Sequence, residues 1–107
     1  MGQALYARSP EAQAVFDQAD ALLGFPLSVL CFTGPEDALT DTLNQQPALF
    51  TTSVAMFADL MAQDTPPPAF VAGHSLGELS ALAVAGSLAF ADGLALVYGV
   101  PAAKFYC

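Results

Sequence analysis

A serine with a glycine two residues to either side is the feature of this sequence best suited to chemistry. Residues 73–77 read GHSLG, follow the apolar stretch AFVAG, and precede LGELSALAVAG. We predict a short strand before this motif and a helix of small residues after it. A serine on such a tight strand-to-helix turn is a nucleophile elbow, with a strained backbone and a projecting hydroxyl. Ser75 is therefore the candidate catalytic nucleophile, and Gly73 and Gly77 are expected to remove side chains that would crowd the turn.

The helix that begins after Ser75 could stabilise negative charge on a reacting oxygen. The backbone N–H of Leu76 lies at the positive end of this helix, where it can face an oxyanion. The alternative is that Ser75 only caps the helix, because serine is a favoured N-cap residue. His74 is the single histidine, but successive side chains on a sharp turn point apart, so we do not expect it to be the base for Ser75. Glu78 lies in the first turn of this helix, where the helix dipole stabilises a carboxylate. We therefore interpret Glu78 as a structural residue and not as a catalytic one.

The rest of the chain is predicted to be mainly helical. Ser9 and Gly24 are expected to cap a helix that starts at Pro10, with a short helical lead-in from Met1. Residues 25–33 are predicted to form a buried turn, followed by a short helix near residue 35. The longest helix is predicted over residues 47–63, where apolar side chains nearly encircle it and indicate burial on most sides. A weak helix is predicted over residues 90–97, with Gly93 as a destabilising interior residue. Helices with one strand and a strand-to-helix turn indicate an α/β fold.

Composition and charge exclude several classes of function. The chain has 107 residues, a net charge of −8 and only 11% charged residues. So few charges on so small a domain indicate that other protein covers part of it. The acidic charge argues against binding nucleic acid or an anionic membrane surface. Cys31 and Cys107 have no metal-ligand spacing, so no metal site is expected. The N-terminus lacks the pattern of a signal peptide, and we expect a cytoplasmic protein.

The sequence resembles a known enzyme family over more than the serine motif. GHSLGE followed by SALAVAGSL, together with NQQPALFTTSVA upstream, is similar to the malonyl-CoA:acyl-carrier-protein transacylase family. That family includes the acyltransferase domains of fatty-acid and polyketide synthases. The resemblance implies a partial α/β-hydrolase-like acyltransferase core over residues 1–97, helix-rich, with a strand, nucleophile elbow and helix as one unit. It leaves residues 98–107 as a divergent C-terminal tail.

The resemblance also implies a reaction, its substrates and one further site residue. Ser75 would attack the thioester of malonyl-CoA, and the phosphopantetheine thiol of acyl carrier protein would then take the malonyl group. Malonyl-CoA is a substrate in this scheme, and no bound cofactor is implied. Gln46, within NQQPAL, matches a family glutamine that lines the active site, although by itself it reads as a polar residue near a helix start. Leu76 resembles the residue found in malonyl rather than methylmalonyl loaders.

Several parts of the family's machinery have no counterpart in these 107 residues. A Gly-Gln-Gly segment would precede Met1, and the general-base histidine and a ferredoxin-like subdomain would follow Cys107. Val100 stands near the position of the arginine that binds the malonyl carboxylate in the family. We therefore expect a truncated transacylase that is nearly inert without the remainder of the acyltransferase domain, because a serine needs a base. The alternatives are a non-catalytic remnant or docking half that needs a complementary chain, and a GxSxG serine esterase or thioesterase.

Overall fold

The computed structural model describes residues 1–98, and these residues are mainly helical. The helices, in chain order, are α1 (Gln3–Arg8), α2 (Pro10–Leu23), α3 (Leu27–Thr33), α4 (Glu36–Thr40), α5 (Thr42–Ala62), α6 (Leu76–Val84) and α7 (Phe90–Tyr98). None of the helices within residues 1–98 is both long enough and apolar enough to cross a membrane. The predicted tail, residues 98–107, lies outside the described residues except for Tyr98, so its boundary stays a prediction.

The prediction of a strand at AFVAG is wrong for the described part of the chain. No strand occurs within residues 1–98, and residues 65–73 make no backbone hydrogen bond to any of them. A strand requires a neighbouring backbone to pair with its N–H and C=O groups. Because residues 1–98 provide no such neighbour, this segment runs as irregular chain although its composition favours a strand.

The ends of α2 confirm the predicted caps. Ser9 has an extended backbone, with φ −120° and ψ 111°, and its hydroxyl accepts a hydrogen bond from the Ala12 N–H at 3.2 Å. Gly24 ends the helix in the left-handed region, with φ 77°. Ser9 and Gly24 thus satisfy backbone groups that a helix leaves unpaired at its ends. The expected lead-in is present as the separate helix α1.

Two helices differ from their predictions, and in each an aspartate accepts a hydrogen bond from a backbone N–H of the first turn. Residues 27–33 form α3 rather than a turn, and the Asp20 carboxylate of α2 accepts a hydrogen bond from the Ser28 N–H at 2.8 Å. Helix α5 begins five residues earlier than predicted because the Asp41 side chain accepts from the Leu43 N–H at 3.0 Å. Pro47, expected near the start of the helix, is buried inside it. The short helix near residue 35 is confirmed as α4.

Aromatic side chains from four helices build the core around α2 and α5. Phe16 of α2 packs edge-on against Phe32, with ring centroids 5.1 Å apart, and Phe50 of α5 stacks on Phe90 at 5.5 Å. Gly93 of α7 is buried where a Cβ atom would lie 2.6 Å from the Phe50 Cζ atom. Helix α7 forms as predicted. Gly93, expected only to weaken it, also allows α7 to approach the Phe50 ring closely.

An ion pair joins α1 to the C-terminal half of α5. The Arg8 guanidinium lies 2.9 Å from the buried Asp59 carboxylate, and the Gln63 amide donates to the same carboxylate at 2.9 Å. Burial acts to raise the pKa of Asp59, but hydrogen bonds from Ser9, Arg8 and Gln63 outweigh it and hold the pKa below its ordinary value. Asp59 is therefore charged when the helices are packed together.

One face of α5 is not covered by residues 1–98. Leu49, Met56 and Leu60 are between 42% and 58% exposed and lie along one stripe of the helix. The remaining sides are buried or half-buried against α2, α3, α4, α6 and α7. The predicted burial on most sides is therefore confirmed, and the exposed apolar stripe is the exception.

Candidate active site

Ser75 has the strained backbone that the nucleophile-elbow interpretation requires. Its φ is 56° and its ψ is −121°, a combination that residues with a side chain rarely adopt and that costs about 1–3 kcal/mol. Ser75 precedes α6 at the N-cap position, but its side chain makes no capping hydrogen bond. The Ser9 hydroxyl, by contrast, caps α2 from an extended backbone. The capping alternative is therefore wrong, and the Ser75 hydroxyl is exposed to solvent.

The two elbow glycines are not equivalent. A Cβ atom at residue 73 would lie 2.0 Å from the Gly77 carbonyl oxygen and 2.1 Å from its carbonyl carbon. Those are backbone atoms of the first turn of α6, so no side chain fits at Gly73. A Cβ atom on Gly77 would meet nothing within 4 Å. The expectation that both glycines relieve crowding thus holds only for Gly73 among the described residues.

The first turn of α6 leaves the Leu76 N–H available. The Gly77 N–H donates to the His74 carbonyl and the Glu78 N–H to the Ser75 carbonyl, each at 3.0 Å. No backbone carbonyl of residues 1–98 accepts from the Leu76 N–H, as is usual for the first residue of a helix. The Leu76 side chain packs against the core. The residue after the serine is thereby anchored while its amide stays free to face a ligand.

Open grooves flank the chain that leads into Ser75. One, of about 390 Å³, lies between α5 and α6 and is lined by Ser53, Phe57, Gly73, Gly77 and Ser80 among others. A second, of about 450 Å³, shares Val71, Ala72 and Gly73 with the first and includes Glu78 and Leu82. Neither Ser53 nor Phe57 was predicted to be a site residue. Ser53 directly follows Thr51 and Thr52 on α5, so its residue type gave no signal that distinguishes it.

No hydrogen bond within residues 1–98 joins Gln46 to Ser75. Gln46 is exposed on α5 and is not among the residues that line the two grooves. It precedes Ser53 by seven residues, so it lies on the same side of α5 about 10 Å along the helix axis. His74 and Glu78 are both exposed, and no hydrogen bond within residues 1–98 joins the His74 ring to Ser75. Within the described residues, the Leu76 N–H next to Ser75 has no backbone acceptor, and no side chain makes a hydrogen bond to the Ser75 hydroxyl.

The buried cysteine lies away from this site. Cys31 is a small core residue and is 2% exposed. Burial raises the pKa of its thiol, which keeps it protonated and unreactive. Among the described residues, no group of three or more His, Cys, Asp or Glu side chains could hold a metal ion.

Comparison with known proteins identifies the family. Residues 1–101 match the acyl transferase domain family. This chain belongs to that family. A malonyl CoA-acyl carrier protein transacylase from Bacillus subtilis is 49% identical over 92 residues, which are 86% of this chain and 29% of that protein. The acyl transferase chain described here thus spans less than a third of the length of such relatives.

Solved acyl transferase structures share the backbone arrangement of this chain. The malonyl CoA-acyl carrier protein transacylase from Coxiella burnetii superposes with a TM-score of 0.85 at 40% identity, covering 88% of this chain and 30% of that one. A malonyl-transacylase in complex with a type II polyketide synthase acyl carrier protein gives 0.86 at 38% identity, covering 92% and 32%. The described residues therefore adopt the transacylase arrangement of helices, although the predicted strand of the α/β fold is absent within them.

Proposed function

We propose that this chain supplies the nucleophile for transfer of a malonyl group from CoA to acyl carrier protein in fatty-acid or polyketide biosynthesis. Family membership and the names of the relatives support the choice of reaction. The observation that carries the assignment of Ser75 is its φ of 56° together with a hydroxyl that makes no capping hydrogen bond. A serine held in a strained turn without a capping role is positioned for chemistry.

The proposed reaction has two acyl-transfer steps. The Ser75 oxygen attacks the thioester carbonyl carbon of malonyl-CoA, its proton passes to a base, and the CoA thiolate leaves. The Leu76 N–H donates a hydrogen bond to the oxyanion that forms on the carbonyl oxygen. The phosphopantetheine thiolate of acyl carrier protein then attacks the malonyl ester and regenerates the Ser75 hydroxyl. Malonyl-CoA and the carrier protein are substrates, and the scheme needs no resident cofactor.

The base must come from outside the described residues. His74 is the single histidine of the sequence and makes no hydrogen bond to Ser75. General-base assistance contributes typically about 10²–10⁴-fold to such a step. We therefore propose that this chain alone acylates very slowly. Gln46 is proposed to contact the substrate from α5, two helical turns from Ser53 in the groove.

Intact-protein mass spectrometry after incubation with malonyl-CoA tests the proposal. We expect one malonyl adduct that accumulates over hours and faster at alkaline pH, because hydroxide then replaces the missing base. The Ser75→Ala variant should acquire no adduct. The Ser80→Ala variant is the matched control, since Ser80 also lies on α6 beside the groove, and it should be acylated like the original chain. Equal labelling of Ser75→Ala would refute the assignment, and rapid acylation at neutral pH would refute the need for an external base.

The fate of the adduct separates a transacylase from a hydrolase with the same motif. Addition of pantetheine or the holo form of acyl carrier protein should move the malonyl group to the thiol. Release of free malonate at the same rate with and without thiol would support the esterase or thioesterase alternative. The carrier-protein product can be weighed directly in the same spectrum.

A further inference from the structure

Helix α1 is too short to stay folded without its neighbours. It has six residues, none of them is buried, and no side chain caps its N-terminus. Isolated helices shorter than about 12–15 residues are marginal in water even when their residues favour helix. The contacts of α1 with other helices therefore decide whether it is folded. Most of these contacts are with α2, and Arg8 adds a connection to α5.

Four side chains meet at the point where α1 ends beside α5. Asp59 is 8% exposed, and it accepts hydrogen bonds from the Arg8 guanidinium at 3.2 Å and from the Gln63 amide at 2.9 Å. The Ser9 hydroxyl, between α1 and α2, also hydrogen-bonds Asp59. Side chains from the end of α1, from the start of α2 and from the end of α5 thus converge on one carboxylate.

Asp59 stands where an isolated α5 would not favour an acidic residue. It lies three residues before the end of the helix, and no basic residue occupies the last turn of α5. A negative charge near a helix C-terminus is unfavourable because the helix dipole is negative there. Arg8, by contrast, lies in the last turn of α1, where a positive charge is favoured. The charge of Asp59 is therefore compensated across the α1–α5 contact and not within α5.

The two charged partners differ in their access to water. The Arg8 side chain is 60% exposed, whereas the Asp59 side chain is 11% exposed. Arg8 can therefore move into solvent without uncovering apolar surface, whereas Asp59 stays at the packed side of α5. The connection thus breaks from the α1 side, and each break leaves α1 with its contacts to α2 and α3.

We propose that the Arg8–Asp59 pair is a clasp that keeps α1 closed on the chain, and that α1 opens as a unit, with α2–α7 still folded, when the clasp breaks. Two other polar ties of α1 run to α2, from the Tyr6 hydroxyl to Asp17 at 2.9 Å and from the Gln13 amide to the Tyr6 carbonyl at 2.7 Å. Both involve Tyr6, so they leave the C-terminal end of α1 to the clasp. The proposal goes beyond the proposed function and does not depend on it.

Opening of α1 uncovers part of the aromatic core on α2 and α3. The Tyr6 ring packs against Phe16 and Phe32, with ring centroids 6.0 Å and 5.2 Å apart. The Met1 amine, just before α1, donates to the Cys31 carbonyl. Because Met1 and α1 leave together, opening exposes this side of Cys31, whose thiol therefore reports the open state.

Hydrogen exchange measured residue by residue by NMR tests the clasp. The Tyr6 and Ser9 amides donate to carbonyls within residues 2–5 at 2.9 and 3.0 Å, so both are protected only while α1 is folded. In the original chain they should exchange faster than the Phe16 amide of α2, and with a weaker dependence on low concentrations of urea, because opening of α1 exposes little surface. Arg8→Gln and Asp59→Asn should each speed their exchange about three- to tenfold, the range for a charge-assisted hydrogen bond at a partly exposed site.

A double variant and a matched control identify the pair. Because the two side chains act through each other, the variant with both Arg8→Gln and Asp59→Asn should exchange no faster than the faster single variant. Asp64→Asn removes the same charge from an exposed aspartate two residues beyond α5, and it should leave the exchange of α1 unchanged.

Alkylation of Cys31 gives a second readout of the open state. In a Cys107→Ser background without urea, iodoacetamide should label Cys31 of the Asp59→Asn variant about three- to tenfold faster than Cys31 of the parent, because the reagent reaches the thiol through the open state. Equal labelling rates together with faster exchange of α1 would overturn the inference that α1 covers Cys31.

The remaining outcomes decide whether α1 is a clasped unit. Unchanged exchange of the Tyr6 and Ser9 amides in both single variants overturns the proposal, and so does a double variant in which the two effects add. Exchange of these amides with the urea dependence of Phe16 would mean that α1 opens only when the whole chain unfolds, which also overturns it. Faster exchange in Asp64→Asn would assign the effect to net charge and not to the clasp. Malonyl labelling of Ser75 tests the proposed function separately from all of these.

Discussion

Replacement of Gly73 by alanine should disrupt the elbow, whereas the same replacement at Gly77 should not. The alanine Cβ at residue 73 would lie 2.0 Å from the Gly77 carbonyl oxygen and 2.7 Å from the Glu78 nitrogen. A carbon atom ordinarily approaches a carbonyl oxygen to about 3.3 Å, so the backbone must retreat by roughly 1.3 Å. The clash involves backbone on both sides, and no side-chain rotation relieves it.

The expected loss of stability follows from the backbone groups that the new Cβ atom would displace. Retreat of the first turn of α6 weakens the bonds from the Gly77 and Glu78 N–H groups to His74 and Ser75, each contributing about 0.5–1.5 kcal/mol. Overpacking of this kind costs typically about 1–3 kcal/mol. We expect Gly73→Ala to lower the free energy of unfolding by about 2 kcal/mol. Gly77→Ala meets no atom within 4 Å, and alanine in place of helical glycine gains up to about 1 kcal/mol.

Urea unfolding followed by far-ultraviolet circular dichroism measures both variants, and malonyl labelling reports the elbow itself. Gly73→Ala should be less stable than Gly77→Ala by about 2–3 kcal/mol and should lose the Ser75 adduct. Gly77→Ala should keep both stability and adduct. Equal stability of the two variants would refute the inference that the close approach of Gly73 to the start of α6 holds the turn. Retention of the Ser75 adduct in a destabilised Gly73→Ala variant would show that the loss of stability does not disturb the turn at Ser75.

Three further outcomes are expected. Gly93→Ala should destabilise the chain although alanine has the better helix propensity, because its Cβ would lie 2.6 Å from the Phe50 ring. In urea titrations, a Phe50→Leu background should remove this loss of stability. The folded pKa of Asp59 lies below its unfolded value near 3.9. The charged carboxylate therefore stabilises the folded chain above about pH 4, and this stabilisation is lost on acidification. Asp59→Asn should make the free energy of unfolding less dependent on pH in that range. In a Cys107→Ser background, Cys31 should react with iodoacetamide more than about tenfold slower in the folded chain than in urea; equal rates would contradict its burial.

Features decided by neighbouring residues could be predicted from the sequence. Ser9 and Gly24 end α2 through contacts within four residues, and their types suffice to identify both ends. The strained turn at Ser75 was likewise predictable from its motif, since the interacting atoms all lie within residues 73–78. Helices α6 and α7 follow from runs of small and apolar residues.

Features decided by distant residues could not be predicted in this way. Helix α3 depends on Asp20, eight residues earlier, which accepts from the Ser28 N–H. The difference between Gly73 and Gly77 arises within residues 73–78, but it depends on which backbone atoms come close in space, and the sequence pattern treats the two glycines alike. The strand prediction was wrong for a related reason, because the composition of residues 69–72 favours pairing but pairing needs a second segment.

The strained turn at Ser75 forms in this chain without a paired strand before it. Ser75 keeps its positive φ although residues 69–72 make no backbone hydrogen bond within residues 1–98, so the turn is held by Gly73 and by two hydrogen bonds of the first turn of α6. Under the proposed function, the nucleophile is thus preformed while the base is not. A base supplied from outside the described residues would then raise the acylation rate, with little change in the backbone of Ser75. The pH dependence of acylation should accordingly change from a steady rise with hydroxide in the chain alone to a plateau set by the pKa of that base when it is present.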